Sequence, residues 1–185
     1  MSKEYIMTEE TYTSKDVLFS ENQQFRLLWV KITIGIAAIG TISPIVYQLF
    51  TGRLRHIPHS AFVNSIIPVV IIVALILLFS FLELRVRVVP TAVLYRFHPF
   101  QRKWHQIDAE YIVSCEHITF RPLRDYGGWG IRYSSSKGSA YTVSGNKGVL
   151  ITKKSGKKIL LGSRQGDALE QSIRQIMGQA ASPST

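Results

Sequence analysis

Four lysines stand within six residues in the C-terminal third of the chain: Lys153, Lys154, Lys157 and Lys158. They surround Ser155 and Gly156, which separate two apolar runs, and this pattern predicts that the lysines crowd the tip of one β-hairpin. Ammonium groups gathered in this way attract anionic headgroups or acidic protein segments. The alternative interpretation is a solvated sheet edge that its lysines keep from aggregating.

Three further cations complete the predicted binding surface: Lys147, Arg124 and Arg132. Lys147 lies in the segment Ser-Gly-Asn-Lys-Gly at 144–148, whose backbone amides could hold a phosphate. A turn that needs positive φ is the alternative, and the P-loop pattern is absent. Arg124 and Arg132 flank the glycine-rich segment 127–130 and would add charge to a basic mouth.

Groups able to catalyse a reaction do not form a motif in this sequence. Glu116 and His117 are neighbours on a predicted strand, so their side chains point to opposite faces. The serines at 134–136 have no base at motif spacing. An enzyme would need a pocket that gathers His105, Asp108 or these serines. We therefore predict no enzymatic activity, no catalytic residue and no cofactor.

Metal and thiol chemistry have little support in the pattern. His56 and His59 are three residues apart but lack a third ligand, so no metal site is predicted. The one cysteine, Cys115, lies in the alternating pattern of a strand, which favours a buried structural thiol.

The net charge of +10 is unevenly distributed. Residues 1–27 carry three Lys/Arg against five acids, whereas residues 84–185 carry sixteen against six. The basic excess therefore belongs to the C-terminal part, where it suits an anionic partner. Solubility and topology signalling are the alternative reasons for it.

Two long apolar runs predict transmembrane helices at about 28–50 and 63–83. The second contains an uncharged stretch of seventeen residues at 66–82. Lys and Arg are more numerous on the outer flanks than in the connection, which has Arg53 and Arg55, so both termini are predicted to be cytoplasmic.

From residue 84 the apolar period changes to two, as in strands, and LRVRVV at 84–89 alternates apolar with basic residues. Seven or eight short strands are predicted, followed by a helix with Leu169, Ile173, Ile176 and Met177 on one stripe. We divide the chain into a polar arm (1–26), two transmembrane helices (27–83), a β domain (84–178) and a tail (179–185).

Several segments carry a resemblance to a known family: LRVRVVPTAVLYRF, YGGWGIR, the hairpin SGNKGVLI with GKKILLGS, and the helix DALEQSIRQI. Over residues 84–177 they resemble an uncharacterised family of bacterial membrane proteins with a pleckstrin-homology-like domain. The resemblance implies an α+β fold in which a two-helix transmembrane hairpin precedes a PH-like antiparallel β-barrel capped by a C-terminal α-helix. It also implies a multi-pass location in the bacterial inner (cytoplasmic) membrane, but no fixed ligand.

We therefore predict a membrane-anchored, non-enzymatic binding or scaffolding module. Besides the lipid bilayer, its partner at the cytoplasmic face would be anionic lipid headgroups or a protein, including a second copy of the chain. An accessory subunit of a membrane complex, or a small membrane enzyme, is the alternative. Nucleic acid is not expected, because no recognition helix or RNP-like motif is present.

Overall fold

The computed structural model describes residues 17–24, 28–51 and 59–181. They divide into two units. The sheet unit contains residues 17–24 and 82–181, and the helical unit contains 28–51 and 59–81. Because residues 17–24 precede the helices in the chain, the sheet unit is discontinuous in sequence.

The helical unit consists of two helices of 23 residues that contact each other: α1 (Leu28–Phe50) and α2 (His59–Phe81). Both form where the sequence is continuously apolar rather than alternating. The hydroxyl of Ser80 donates to the carbonyl of Ile76 at 2.7 Å, which satisfies a polar side chain inside α2. The helix α1 covers the predicted range 28–50, whereas α2 begins and ends earlier than the predicted 63–83, since residue 83 already belongs to the next strand.

No helix in the described ranges is both long enough and apolar enough to cross a membrane. For the described residues, the predicted transmembrane hairpin and the multi-pass inner-membrane location are therefore wrong. The predicted orientation depended on that hairpin and has no basis without it.

The first sheet, sheet A, has four antiparallel strands in the order β1-β2-β3-β4. They are β1 (Phe19–Gln24), β2 (Glu83–Val89), β3 (Ala92–His98) and β4 (His105–Asp108). The predicted strand pair at 84–97 is confirmed as β2 and β3. Residues 19–24, part of the predicted polar arm, form the edge strand β1.

The second sheet, sheet B, has five strands in the order β5-β8-β9-β7-β6. They are β5 (Ile112–Thr119), β6 (Gly130–Ser134), β7 (Gly138–Thr142), β8 (Lys147–Lys153) and β9 (Lys158–Gly162). The strands β7 and β9 are parallel, and the other neighbours are antiparallel.

The predicted antiparallel β-barrel, capped by the C-terminal helix, is wrong. A 3₁₀ turn at Ala109–Tyr111 follows β4, and the next strand, β5, pairs with β8 rather than with β4. The hydrogen-bond ladder is therefore interrupted between the sheets, and each sheet keeps two edge strands. The fold of the described residues is two separate sheets with helices.

Two helices belong to the sheet unit: the short α3 (Pro122–Tyr126) and α4 (Gly166–Ala181). Three members of the predicted apolar stripe of α4, Leu169, Ile173 and Ile176, are fully buried against the sheets, whereas the fourth, Met177, is half-buried. The helix does not end at the predicted Gly178 but continues to Ala181. A Cβ added at Gly178 would meet no atom within 4 Å, so packing does not require a glycine at this position.

The two faces of sheet A differ in character. Along β2, the side chains of Leu84, Val86 and Val88 are fully buried in the core, and the intervening residues point to the opposite, outer face. The rings of Tyr95 and Tyr141, one from each sheet, meet in the core with centroids 4.7 Å apart.

Two polar side chains of β1 also point into the core. The amide of Gln23 donates to the carbonyl of Gly162 at 2.7 Å. The carboxylate of Glu21 accepts from the hydroxyl of Ser163 at 2.5 Å and from the backbone N–H of Arg164 at 2.9 Å. These bonds satisfy the Glu21 carboxylate and Nε2 of Gln23, and they join β1 to the end of β9 and the segment after it.

Candidate functional site

The structure brings the four predicted lysines to one end of sheet B, here called the lysine end (Lys153, Lys154, Lys157 and Lys158). The backbone N–H of Lys153 donates to the carbonyl of Lys157 at 2.9 Å, and Gly156 closes the turn with φ of 76°. The last three lysines are exposed and Lys153 is half-buried. The predicted hairpin and its basic tip are therefore confirmed.

The lysines of this end point in more than one direction. Lys153 lies opposite Lys157. The next residue, Lys158, pairs with Thr152, and its side chain therefore points to the other face of the sheet. Lys154 lies in the turn, and its N–H donates to the carbonyl of Tyr111, whose ring is 51% exposed. The result is a diffuse group of charges beside one exposed aromatic ring.

The three other predicted cations do not join the lysine end. Lys147 begins β8, at the opposite end of that strand and about 20 Å away. Arg132 lies on the edge strand β6, where its Nε donates to the carbonyl of Trp129 at 3.1 Å. Arg124 is exposed on α3. The predicted surface of seven cations is therefore divided among several places.

The segment 144–148 forms a turn, the alternative that the sequence left open. Its carbonyls already have donors, since Gly145 accepts from the indole of Trp129 at 2.8 Å and Asn146 accepts from the N–H of Phe120 at 2.8 Å. Gly145 has φ of 78°, which only glycine adopts without strain.

A second basic cluster lies on the outer face of sheet A, here called the arginine face (Arg85, Arg87, Arg96 and Trp104). Arg85 stands directly opposite Arg96 on the neighbouring strand. The guanidinium carbons of Arg87 and Arg96 both lie 4.9 Å from the centroid of the Trp104 ring, within cation–π distance.

The indole of Trp104 is 7% exposed and belongs to an apolar cluster with Val89, Ala92 and Leu94. Arg85 donates to the carboxylate of Glu83 at 2.9 Å, and β2 and β3 contain no other acidic residue. Three guanidinium groups are thus held on one sheet face by β register and an aromatic platform. The predicted site did not include them, although the alternation in LRVRVV indicated that Arg85 and Arg87 share a face.

The groups considered for catalysis are separated. His105 and Asp108 are three residues apart on β4 and therefore point to opposite faces of sheet A. The ring of His105 stacks on Tyr95 with centroids 5.3 Å apart. Ser134 lies on sheet B, 3.3 Å from the hydroxyl of Ser136. The structure does not gather these three candidates into one pocket.

One histidine–carboxylate pair was not predicted. Nδ1 of His117 on β5 lies 2.7 Å from the carboxylate of Asp167 on α4, fifty residues later. The other ring nitrogen, Nε2, is buried without a hydrogen-bond partner among the described residues and faces Gly166, where an added Cβ would lie 2.4 Å away. Because that nitrogen faces backbone rather than an open site, the pair serves to seat α4 on β5.

Neighbouring contacts extend this attachment of α4. Glu170 accepts from the N–H of His117 at 3.1 Å and from Nε of Arg174 at 2.8 Å, and Nη2 of Arg174 donates to the carbonyl of Cys115 at 3.2 Å. The hydrogen bond from Arg174 lowers the pKa of the Glu170 carboxyl. Cys115 is buried, and burial raises the pKa of its thiol, which opposes reactivity as a nucleophile.

An ion pair beside the lysine end uses another cation. Nζ of Lys137 lies 2.7 Å from the carboxylate of Asp125 on α3. The hydrogen bond from Lys137 holds the pKa of Asp125 below its usual value, and the backbone N–H of Arg121 contributes in the same direction. Lys137 is therefore occupied, and the lysine end consists of the four hairpin lysines.

Within the described ranges, no three His, Cys, Asp or Glu side chains are grouped so as to hold a metal ion. His56 lies outside those ranges, so the pair that it would form with His59 is not described.

Comparison with known proteins found no matching family model, no matching curated protein and no matching solved structure. The resemblance to the bacterial pleckstrin-homology-like family stays a prediction, and function rests on the residues themselves.

Proposed function

We propose that this protein is a non-catalytic binding module whose lysine end engages anionic lipid headgroups. The observation that carries the proposal is the gathering of four lysines at one hairpin tip, with three of them exposed. Lysine ammonium groups are compact, strongly hydrated and mobile on long stems. They suit many loosely placed phosphates better than one fixed ligand geometry.

Tyr111 supports this ligand class. Its exposed ring adjoins the lysine turn through the bond between Lys154 N–H and the Tyr111 carbonyl. A tyrosine ring combines an apolar body with a polar tip and is favoured at the level of lipid headgroups. Each lysine near an anionic surface contributes about 1 kcal/mol, so the four together can hold a domain on such a surface.

The test measures binding of the full chain to vesicles with graded fractions of anionic lipid, at low and at high salt. We expect binding to increase with the anionic fraction and to weaken in salt. Replacing all four lysines by glutamine, K153Q/K154Q/K157Q/K158Q, should weaken binding at least about 30-fold, which corresponds to about half of the summed contribution.

A matched control removes four exposed cations elsewhere on the sheet unit: Arg102, Lys103, Arg121 and Arg164, each changed to glutamine. Both variants lose four positive charges, so weaker vesicle binding of the lysine variant alone would report a specific role of the lysine end. Equal losses in the two variants, or no binding of the unaltered chain at low salt, would contradict the proposal. The second result would direct the search to a protein partner.

A further inference from the structure

Two apolar side chains are exposed beside the lysine end, on the edge strand β5 and the turn that precedes it. Tyr111 is 51% exposed and Val113 is 57% exposed, whereas Ile112 between them is buried. This alternation directs Tyr111 and Val113 to the same side of the chain, away from the core. The binding of headgroups by lysines alone gives Val113 no role.

The backbone fixes this apolar pair against the lysine turn. The carbonyl of Tyr111 accepts from the N–H of Lys154 at 2.8 Å. The register between β5 and β8 shifts after Ile112, which leaves Val113 as the extra residue of a β-bulge. Bulges on edge strands redirect a side chain. Here the redirected side chain is an apolar one, and it faces solvent beside the lysines.

The charge around the pair is predominantly positive. The lysine end supplies four cations, against the exposed acids Glu110 and Glu116 on either side of the pair in the chain. Apolar groups bordered by cations match an anionic bilayer, in which negative headgroups lie directly above the acyl chains. An acidic protein segment or a free headgroup offers the negative charge without the apolar layer beneath it.

We infer that Tyr111 and Val113 form an apolar wedge that enters the acyl boundary of an anionic bilayer while the lysine end holds the headgroups. The inference rests on the proposed binding of anionic lipid, and it makes the bilayer surface, rather than a free headgroup, the ligand. A tyrosine ring can bury its apolar body in the interface and keep its hydroxyl in water. The wedge adds a hydrophobic contribution that salt does not screen, in contrast to the attraction of the lysines.

The first test measures binding of the full chain and of the variant Y111S/V113T to phosphatidylserine vesicles over a range of salt concentrations. The apolar variant should bind at least about tenfold more weakly at every salt concentration, because the lost contribution is hydrophobic. The variant K153Q/K154Q/K157Q/K158Q should instead make binding less dependent on salt.

A headgroup without acyl chains distinguishes the bilayer from a free anion. Glycerophosphoserine offers the same charged group as phosphatidylserine and should not displace the chain from vesicles. Displacement by this compound would identify the free headgroup as the ligand and would contradict the wedge.

The opposite edge strand of the same sheet supplies a matched control. Ile131 and Tyr133 on β6 have the same spacing and are also exposed. The strand β7 separates them from the hairpin of the lysine end. The variant I131T/Y133S should therefore bind vesicles like the unaltered chain. Equal losses in the two apolar variants would refute the assignment of the wedge to β5.

A measurement of depth does not depend on weakened binding. V113W and I131W each add one indole, while the three native tryptophans are common to both chains. Bromine on the acyl chains of the vesicles quenches indole fluorescence at short range. Binding should quench V113W more strongly than I131W. Equal quenching of the two chains would place Val113 outside the acyl boundary and would overturn the inference.

The outcomes separate the wedge from the proposed function. Vesicle binding that requires the four lysines but is unchanged in Y111S/V113T would leave the headgroup role in place and overturn the wedge. No vesicle binding by the unaltered chain at low salt would overturn both. Self-association without vesicles that Y111S/V113T abolishes would identify a second copy of the chain as the occupant of this surface, and it would contradict insertion into a bilayer.

Discussion

The lysine end and the arginine face are both basic and both built on β-hairpins, yet they hold their charges differently. At the lysine end, the ammonium groups extend from a turn into solvent in several directions. On the arginine face, the guanidinium groups lie on the flat side of a sheet, two of them over a buried indole. We therefore expect charge on the turn to be replaceable with little loss of stability, whereas charge on the packed sheet face is part of the fold.

Among the substitutions on the two surfaces, Trp104→Ala should cause the largest loss of stability. It empties the centre of an apolar cluster and removes the platform for two arginines, so the free energy of unfolding should fall by about 3–5 kcal/mol. Urea denaturation of the full chain provides the measurement. Tyr133→Ala is the control, because that ring is 78% exposed on an edge strand, and its loss should change stability by less than about 0.5 kcal/mol. Similar losses of unfolding free energy in Trp104→Ala and Tyr133→Ala would contradict a structural role of the arginine face.

Arg87→Ala should have an intermediate effect. The guanidinium of Arg87 over Trp104 contributes about 1 kcal/mol through the cation–π interaction, and this should be lost in urea denaturation. Arg87→Lys is an informative companion, because it keeps the charge but not the planar group, and it should recover less than half of the loss. An increase in stability on Arg87→Ala would mean that repulsion among the arginines outweighs stacking.

The four-lysine variant K153Q/K154Q/K157Q/K158Q should have the smallest effect on stability, within about 0.5 kcal/mol of the unaltered chain. Its side chains extend from a turn whose backbone bonds do not depend on their charge. Thermal and urea unfolding measure this. A loss above about 1 kcal/mol would place the lysines among the groups that stabilise the sheet, and it would weaken their assignment as a binding surface.

The sequence predicted the lysine end because its members are neighbours along the chain. Four lysines around a serine and a glycine form a pattern that a single hairpin converts directly into a surface. The sequence indicated only two of the four members of the arginine face. Alternation places Arg85 and Arg87 on one side of a strand, but Arg96 and Trp104 join them only through the pairing register of β2, β3 and β4.

The largest errors concern contacts between distant parts of the chain. The predicted polar arm contains the strand β1. Its polar residues Glu21 and Gln23 are typical of a surface in the sequence, but in the fold they are buried and bond to Ser163 and Gly162, about 140 residues later. The predicted barrel fails because β5 pairs with β8 rather than with β4. Strand periodicity indicates which face of the sheet a side chain occupies, but it does not indicate which strand pairs with that side chain's own strand.

By itself, the sequence determined the local elements: the hairpins β2–β3 and β8–β9, the apolar stripe of α4 and the burial of Cys115. Each depends on residues within one or two turns or strands, where side-chain period and turn chemistry decide the outcome. The tertiary structure alone decided the inclusion of β1, the parallel pairing of β7 with β9, and the meeting of His117 with Asp167. These depend on burial and hydrogen-bond satisfaction between segments far apart in the chain, which no local period encodes.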